Sequence, residues 1–323
     1  MESSGKHFRN GVLFLYLRTM IKLNVTDEFS PLKSVVLGTA KSNGATPALK
    51  DAYDPKSAEH IKAGTYPLEK DMVSEMEAVA TVFEKYGVTV YRPTVIEDYN
   101  QIFTRDIAFV IDDKIVISNM LEDRAQEINA IAHVLDQIPQ EKIVRLSSYA
   151  KIEGGDVMPF GNYILVGTCR VDHFNNYVTA RTNADGVSNL QEFFPHKEVK
   201  SFALKKSNYD PRENALHLDC CFQPLGQGKC IIHKEGFEFE TEYQWLVDQF
   251  GEENCFHITK EEMYKMYSNV FSIADGVVIS EQKFDRLNDW LRKNNFTVET
   301  VPYAEIAKQE GLLRCSTMPL QRA

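Results

Sequence analysis

Among six cysteines (Cys169, Cys220, Cys221, Cys230, Cys255 and Cys315) none stands in a CxxC spacing, and no two of the eight histidines stand in an HxxxH spacing. Both absences argue against a structural zinc site. The uneven cysteine spacing, with Cys220 adjacent to Cys221, fits reduced thiols in a cytoplasmic enzyme better than a disulfide framework. No apolar run approaches the ~18 residues of a membrane span. An excess of positive charge is missing too: 36 Lys and Arg face 46 Asp and Glu, for a formal charge of −10. That balance speaks against a nucleic-acid partner or an anionic membrane surface and leaves a cationic small molecule unopposed. What remains, 43% hydrophobic and 25% charged residues over 323 positions, is the composition of a folded globular protein with a sizeable core.

The apolar run from Gly11 to Leu17 follows basic residues but has no small-residue cleavage site, and Arg18 follows at once. Met20 therefore reads as the natural start, residues 1–19 as an extension outside the fold, and residues 20–323 as one domain. From there, Ser34 to Gly38 reads as a buried strand ended by glycine. Residues 40–66 are polar and turn-rich and read as a loop. Met72, Met76, Val79 and Phe83 recur at helical spacing before Gly87, which predicts a helix over 68–86. A strand follows at Val88 to Tyr91.

Repetition is the dominant pattern. Segments opening at Asp106, Asp156, Asp219 and Asn269 each run polar residue, apolar strand, tight turn, second apolar strand. Their turns carry Asp-Asp, Gly-Asn, Gly-Gln-Gly or Asp-Gly, the residues hairpin turns favour. Helical patterns follow at about 122–136, 174–193, 240–250 and 281–294, and a short closing strand is legible at 143–146 and 298–301. With the segment before 106 as a further unit, the chain reads as five β-β-α-β modules in an α/β propeller-like ring.

Polar clusters stand at the openings of three modules: Phe103-Thr104-Arg105-Asp106, Glu153-Gly154-Gly155-Asp156 and His217-Leu218-Asp219. Equivalent positions of a ring converge on its axis. In an extended strand His217 and Asp219 would share one face, and a face bearing both needs partners. His217 titrates near neutrality and suits acid–base work, with Glu153 placed to orient it. Near the C-terminus Cys315 follows Arg314, a neighbour expected to lower the thiol's pKa. Carboxylates around a thiol oppose thiolate formation, so a cationic substrate would account for them. A guanidinium fits, because its planar fork suits bidentate carboxylates such as Asp106 and Asp219.

These four motifs, ending in Arg314-Cys315-Ser316-Thr317-Met318-Pro319-Leu320, occur together and in order as they do in the guanidine-modifying superfamily, which the chain closely resembles from about residue 25 to the end. The superfamily contains arginine deiminases, dimethylarginine dimethylaminohydrolases and amidinotransferases. The resemblance implies the five-module pentein propeller. It also implies a cysteine-dependent amidinohydrolase of deiminase type acting on arginine or an arginine derivative, with no cofactor and no metal. Cys315 would attack the guanidino carbon to form a covalent amidino intermediate, His217 would move protons, Glu153 would orient His217, and Asp106 and Asp219 would hold the guanidinium. Arg124 and Arg181 resemble family positions that hold a substrate carboxylate.

The chain also departs from the pattern. Glu310 stands about where deiminases carry a loop arginine, and Arg314 stands where amidinotransferases tend to carry histidine. Hydrolysis and amidino transfer to an amine acceptor share every step up to the covalent intermediate, and an amidinotransferase is the alternative. A metal site, a cysteine protease and a non-catalytic binding module are further rivals; a shared pocket for Cys315, His217 and the two aspartates would exclude the last. The oligomeric state is not legible.

Overall fold

A computed structural model describes residues 20–170 and 172–323. The extension assigned to residues 1–19 lies outside the described residues. Four modules repeat one plan, in which an antiparallel hairpin is followed by a crossover and a third strand parallel to the second. In the second module β3 (Ala108–Ile111) and β4 (Lys114–Ile117) form the hairpin and β5 (Ile143–Arg145) pairs parallel to β4. The same order holds for β6 (Val157–Phe160), β7 (Tyr163–Thr168) and β8 (Glu198–Ala203). It recurs in β9 (Phe222–Gly226), β10 (Lys229–Ile232) and β11 (Cys255–His257). It recurs again in β12 (Phe271–Ala274), β13 (Val277–Glu281) and β14 (Thr297–Val301). Each hairpin turn holds a residue at positive φ, among them Asp112 at 52° and Gly276 at 83°, as tight hairpins require.

The first module is built differently. Its middle strand β1 (Leu32–Leu37) pairs parallel with β2 (Thr89–Tyr91), but its antiparallel partner is β15 (Thr317–Arg322), the last strand of the chain. Five three-stranded sheets result, in the single-domain pentein architecture that the sequence predicts. The unit before residue 106 is completed by the C-terminus.

The crossovers carry α1 (Pro55–Ala63), α2 (Glu69–Lys85), α5 (Ala184–Phe193), α6 (Glu240–Phe250) and α8 (Asp285–Lys293), with a shorter turn at α4 (Ala132–Leu135), and the links between modules hold the short α3 (Thr104–Ile107) and α7 (Lys260–Tyr264). α2 buries the predicted stripe of Met72, Met76, Val79 and Phe83. Phe83 meets Phe271 of the fifth module edge-on at 5.7 Å. A fully buried side chain of this size stabilises by roughly 1.5–3 kcal/mol, so this contact helps hold two modules together. Among the described residues no helix is long and apolar enough to cross a membrane.

Some expectations need correction. Residues 40–66 are not all loop: Asp54 caps α1 by accepting from the Ser57 N–H at 2.6 Å, Pro55 opens it, and Gly64 ends it at φ 66°. The 122–136 pattern is two 3-10 turns and one α turn, not one helix. The 174–193 pattern is helical only from Ala184, because Asn183 takes the Gly186 N–H on its side chain and acts as the N-cap. His217 and Asp219 do not share an extended strand; His217 precedes a 3-10 turn, Leu218–Cys220, that leads into β9.

Candidate active site

Each module enters its first strand through a short polar segment, and these segments are laced together in sequence. The Arg105 N–H donates to the Cys315 carbonyl at 3.0 Å, joining modules one and two. Modules two and three approach so closely that a Cβ on Gly154 would lie 2.0 Å from the Arg105 carbonyl oxygen, which is why glycine stands there. The Leu218 N–H donates to Asp156 at 3.0 Å, and the Ser268 hydroxyl donates to the Asp219 carbonyl at 2.8 Å. The Arg314 N–H donates to the Asn269 carbonyl at 3.2 Å and closes the circuit. Cys315, Asp106 and Asn269 each stand two residues before a module's first strand, at β15, β3 and β12.

Cys315 is buried, with its Sγ 3.6 Å from Asp219 Oδ2. Asn269 holds the same sulfur from another side: its Oδ1 accepts the N–H groups of Leu312 at 3.2 Å and Cys315 at 3.1 Å. Those two donors fix the amide so that Nδ2 donates to Sγ at 3.2 Å. Burial pushes the Cys315 thiol well above its ordinary value, Asp219 and Asp106 push it further, and the contacts with Leu312 and Asn269 only partly offset this. The expectation that Arg314 would lower it is therefore corrected. The Arg314 guanidinium is committed elsewhere: it forks onto Glu28 at 3.0 and 3.1 Å and donates to Asp219 Oδ2 at 2.8 Å. It also donates to the carbonyls of Gly155 at 3.2 Å and Val157 at 2.8 Å.

His217 lies in a nest of carboxylates. Its Nε2 is 2.9 Å from Glu153 Oε2, and its Nδ1 is 3.8 Å from Asp106 Oδ1. Neither Nδ1 nor Asp106 Oδ1 has a hydrogen-bond partner. Gly155 makes this approach possible, since a Cβ there would fall 2.5 Å from Nδ1. Burial alone would push the imidazole down, but Asp106, Asp156 and Glu153 outweigh it and bring His217 to about 9. Glu153 is driven up by burial and more strongly down by Arg181, His217 and Arg124, and comes to about 2.

The two arginines assigned to a substrate carboxylate are both buried and already bonded to protein acceptors. Arg124 forks onto Glu127 at 2.7 and 3.1 Å and donates to Asp106 Oδ2 at 2.9 Å. Arg181 donates to Glu153 at 3.3 and 3.4 Å and to the carbonyls of Val178 at 3.1 Å and Tyr53 at 3.0 Å. Arg181 and Glu153 lie in the wall of a 410 Å³ cavity that also touches Lys151, Tyr177, Asn119 and Glu122. Glu310 is enclosed, accepting from Asn214 Nδ2 at 2.6 Å and from the Lys56 N–H at 3.4 Å.

Asp106, Glu153 and His217 place ligand atoms within 4.8 Å of one another, the one grouping among the described residues able to surround a metal ion. Arg124 and Arg181 already lie against those carboxylates, and a divalent cation there would face two guanidiniums. Sequence reasoning missed Asn269 and Glu28. Asn269 was visible as the polar opener of the fifth module. Glu28 lies in an irregular segment before β1 and carries no local signal.

The model of the family described as "N,N dimethylarginine dimethylhydrolase, eukaryotic" matches residues 56–322. An arginine deiminase of Listeria monocytogenes serotype 4a is 24% identical over 261 residues, covering 69% of this chain and 61% of the deiminase, so the chain spans less than two thirds of that protein. The N-terminal domain of ArgZ, an arginine dihydrolase from the ornithine-ammonia cycle in Cyanobacteria, superposes with a TM-score of 0.73 at 16% identity, over 90% of this chain and 97% of that one. The inosamine-phosphate amidinotransferase StrB1 from Streptomyces griseus gives a TM-score of 0.69 at 15% identity, over 94% and 97%. At those identities the structural likenesses speak to the fold.

Proposed function

Because the chain belongs to the eukaryotic N,N dimethylarginine dimethylhydrolase family and is thus a guanidino-modifying enzyme of the pentein superfamily, we propose that it is a cysteine-dependent amidinohydrolase acting on arginine or an N-substituted arginine. The observation that carries this reading is a buried thiol 3.6 Å from the Asp219 carboxylate and an imidazole 3.8 Å from Asp106 Oδ1, an acceptor with no hydrogen-bond partner. Cys315 is pushed well above its ordinary pKa and His217 is held at about 9. At neutral pH the proton therefore sits on His217, where a leaving amine needs it, and also on Cys315, where attack does not.

A guanidinium resolves that conflict. Its N–H groups would meet Asp106 Oδ1 and the Asp219 carboxylate, and its charge would offset the two aspartates that oppose the thiolate. The Cys315 proton then passes to solvent water, because His217 is already protonated, and Asn269 Nδ2 donates to the sulfur that remains. The sulfur attacks the guanidino carbon and a C–S bond forms. The C–N bond to the departing amine breaks as that nitrogen takes a proton from His217. A covalent amidino-cysteine and a free amine result. The neutral His217 next accepts a proton from water, the hydroxide attacks the amidino carbon, and the C–S bond breaks to give a ureido product and the thiolate. Glu153 on Nε2 keeps the other ring nitrogen facing the reaction throughout.

The choice between water and an amine at the second step is tested by product analysis. Arginine, monomethyl- and dimethylarginine and agmatine are supplied with and without glycine as acceptor. The hydrolase reading expects a ureido product and one equivalent of ammonia or alkylamine, unchanged by glycine. Formation of guanidinoacetate would overturn it in favour of amidino transfer.

A further inference from the structure

On a chain with a formal charge of −10, one cavity is lined by the opposite sign. It has a volume of 320 Å³ and lies between α1, the α7 turn and its continuation, the start of α8, and the loop that leads to Cys315. Lys56, His60, Lys265, Lys283 and Lys308 line it, and Glu281 is the one acid in its wall.

These cations are poorly matched. Lys283 makes no ion pair among the described residues. Lys56 is buried with no carboxylate within 4.0 Å of its Nζ, which instead sits 4.6 Å over the Tyr264 ring and donates to the Tyr264 carbonyl. Lys308 and Lys265 have one carboxylate each, Glu305 at 2.7 Å and Glu261 at 3.6 Å. The charge of the lysines shows in the titration of His60. Burial pushes His60 below its ordinary value, and Lys56 and Lys308 push it further. Burial pulls Lys56 to about 8 despite the attraction of Glu310 and Asp54. Burial raises the Glu281 carboxyl, and the Lys283 N–H and charge pull it back. The remaining wall is apolar or aromatic: Tyr267 stacks on Phe284 with ring centroids 3.9 Å apart, and Ala304, Ala307 and Leu312 complete it.

Five basic side chains against one acid around an aromatic, aliphatic hollow of this size match a specific ligand chemistry. We propose that this cavity binds an amphipathic organic anion, a carboxylate or phosphate monoester carried on a flat apolar body. The anionic group lies at the Lys265 and Lys283 rim, and the apolar body packs against Phe284, Ala304 and Leu312. The site is separate from the guanidinium-binding aspartates and does not depend on which guanidino compound the enzyme consumes.

Isothermal titration of the full chain with 1-naphthyl phosphate tests this, with 1-naphthol as the neutral control and with Lys265→Glu/Lys283→Glu as the variant. Both lysines are exposed, so the variant is expected to fold, and its circular dichroism and melting temperature verify that. The expected result is one saturable site for the phosphate, at least about tenfold weaker binding by the variant, and naphthol binding that the variant leaves unchanged. Saturating arginine should not displace the phosphate. Equal phosphate affinity in both proteins, or displacement by arginine, would overturn the proposal.

Discussion

Arg314 offers the sharpest test of how the axis is held together. Its guanidinium is fully buried, forked onto Glu28 and bonded to Asp219 and two main-chain carbonyls. Arg314→Met keeps much of the volume and removes every one of those donors, leaving Asp219 without its cation and Glu28 with only Arg105 at 3.5 Å. Breaking a buried pair this way costs about 3–5 kcal/mol. The titration of Glu28 gives an independent scale. Burial pushes it up, Arg314 and Arg105 pull it down further, and it comes to about 2 from 4.5, a difference worth roughly 3 kcal/mol. The sign follows from the depressed value: this stability is present above pH 4.5 and is lost as pH falls toward 2. Urea unfolding should therefore show Arg314→Met destabilised by about 3–5 kcal/mol at pH 7, with a shallower loss of stability below pH 4.5 than the parent. Glu28→Gln should be destabilising by itself but cost little more in the Arg314→Met background, a coupling of about 2 kcal/mol. A loss under about 1 kcal/mol in Arg314→Met, or strict additivity of the two substitutions, would refute the reasoning.

Three further outcomes follow from the reacting groups. Cys315→Ser should lower turnover on the order of 10⁴-fold or more while a calorimetric titration still detects the guanidino substrate; turnover near the parent rate removes Cys315 from the chemistry. Asn269→Ala should move the pH–rate profile of Cys315 alkylation by iodoacetamide about one unit upward, because a hydrogen bond to a thiolate is worth roughly 1.5–3 kcal/mol. Asn269→Asp should move it further by placing a carboxylate on the sulfur, and superimposable profiles for all three proteins would show that the amide does not stabilise the thiolate. With His217 at about 9 and the Cys315 thiol well above its ordinary value, kcat/KM, which needs thiolate and imidazolium together, should rise tenfold per pH unit below about 9 and level off above it, where each proton lost by the general acid is offset by thiolate gained. His217 is raised, so the stability it adds is present below pH 6.5 and disappears as pH rises through about 9; a kcat/KM that does not change between about pH 7 and 9 would assign the proton transfer to another group.

The parts of this molecule legible in its sequence are those whose cause is local. Four hairpins announced themselves because strand alternation and left-handed turn residues such as Asp112 and Gly276 are short-range requirements. His217, Asp106, Asp219 and Glu153 stood out as charged residues interrupting or opening apolar strands, where a polar side chain needs a partner. The first strand of the first module was invisible for the opposite reason. β15 pairs with β1 across nearly the whole chain, Leu32 opposite Arg322, and no window of local pattern contains both. The same distance hid Glu28, whose partners are Arg314 and Arg105. Arg124 and Arg181 were noticed as cations near the site, but sequence could not show that Glu127, Asp106 and Glu153 would occupy them.

Ring closure and the placement of Cys315 are one event in this fold. Cys315 stands two residues before β15, the strand that completes the first module, so its sulfur reaches Asn269 and Asp219 only when the chain's two ends have paired. The Glu28–Arg314 pair crosses the same seam, from the segment before β1 to the residue before Cys315. Arg314 then passes the constraint to Asp219 through its Nη1. One arginine thus ties seam closure to the orientation of a carboxylate 3.6 Å from the sulfur. Substitutions separate the two roles: Cys315→Ser removes the proposed nucleophile and leaves the seam intact, whereas Arg314→Met loosens the seam and frees Asp219 together. A kcat loss in Arg314→Met that exceeds its unfolded fraction is therefore the signature of the arginine acting through Asp219, because a purely structural role would lower only the amount of folded enzyme.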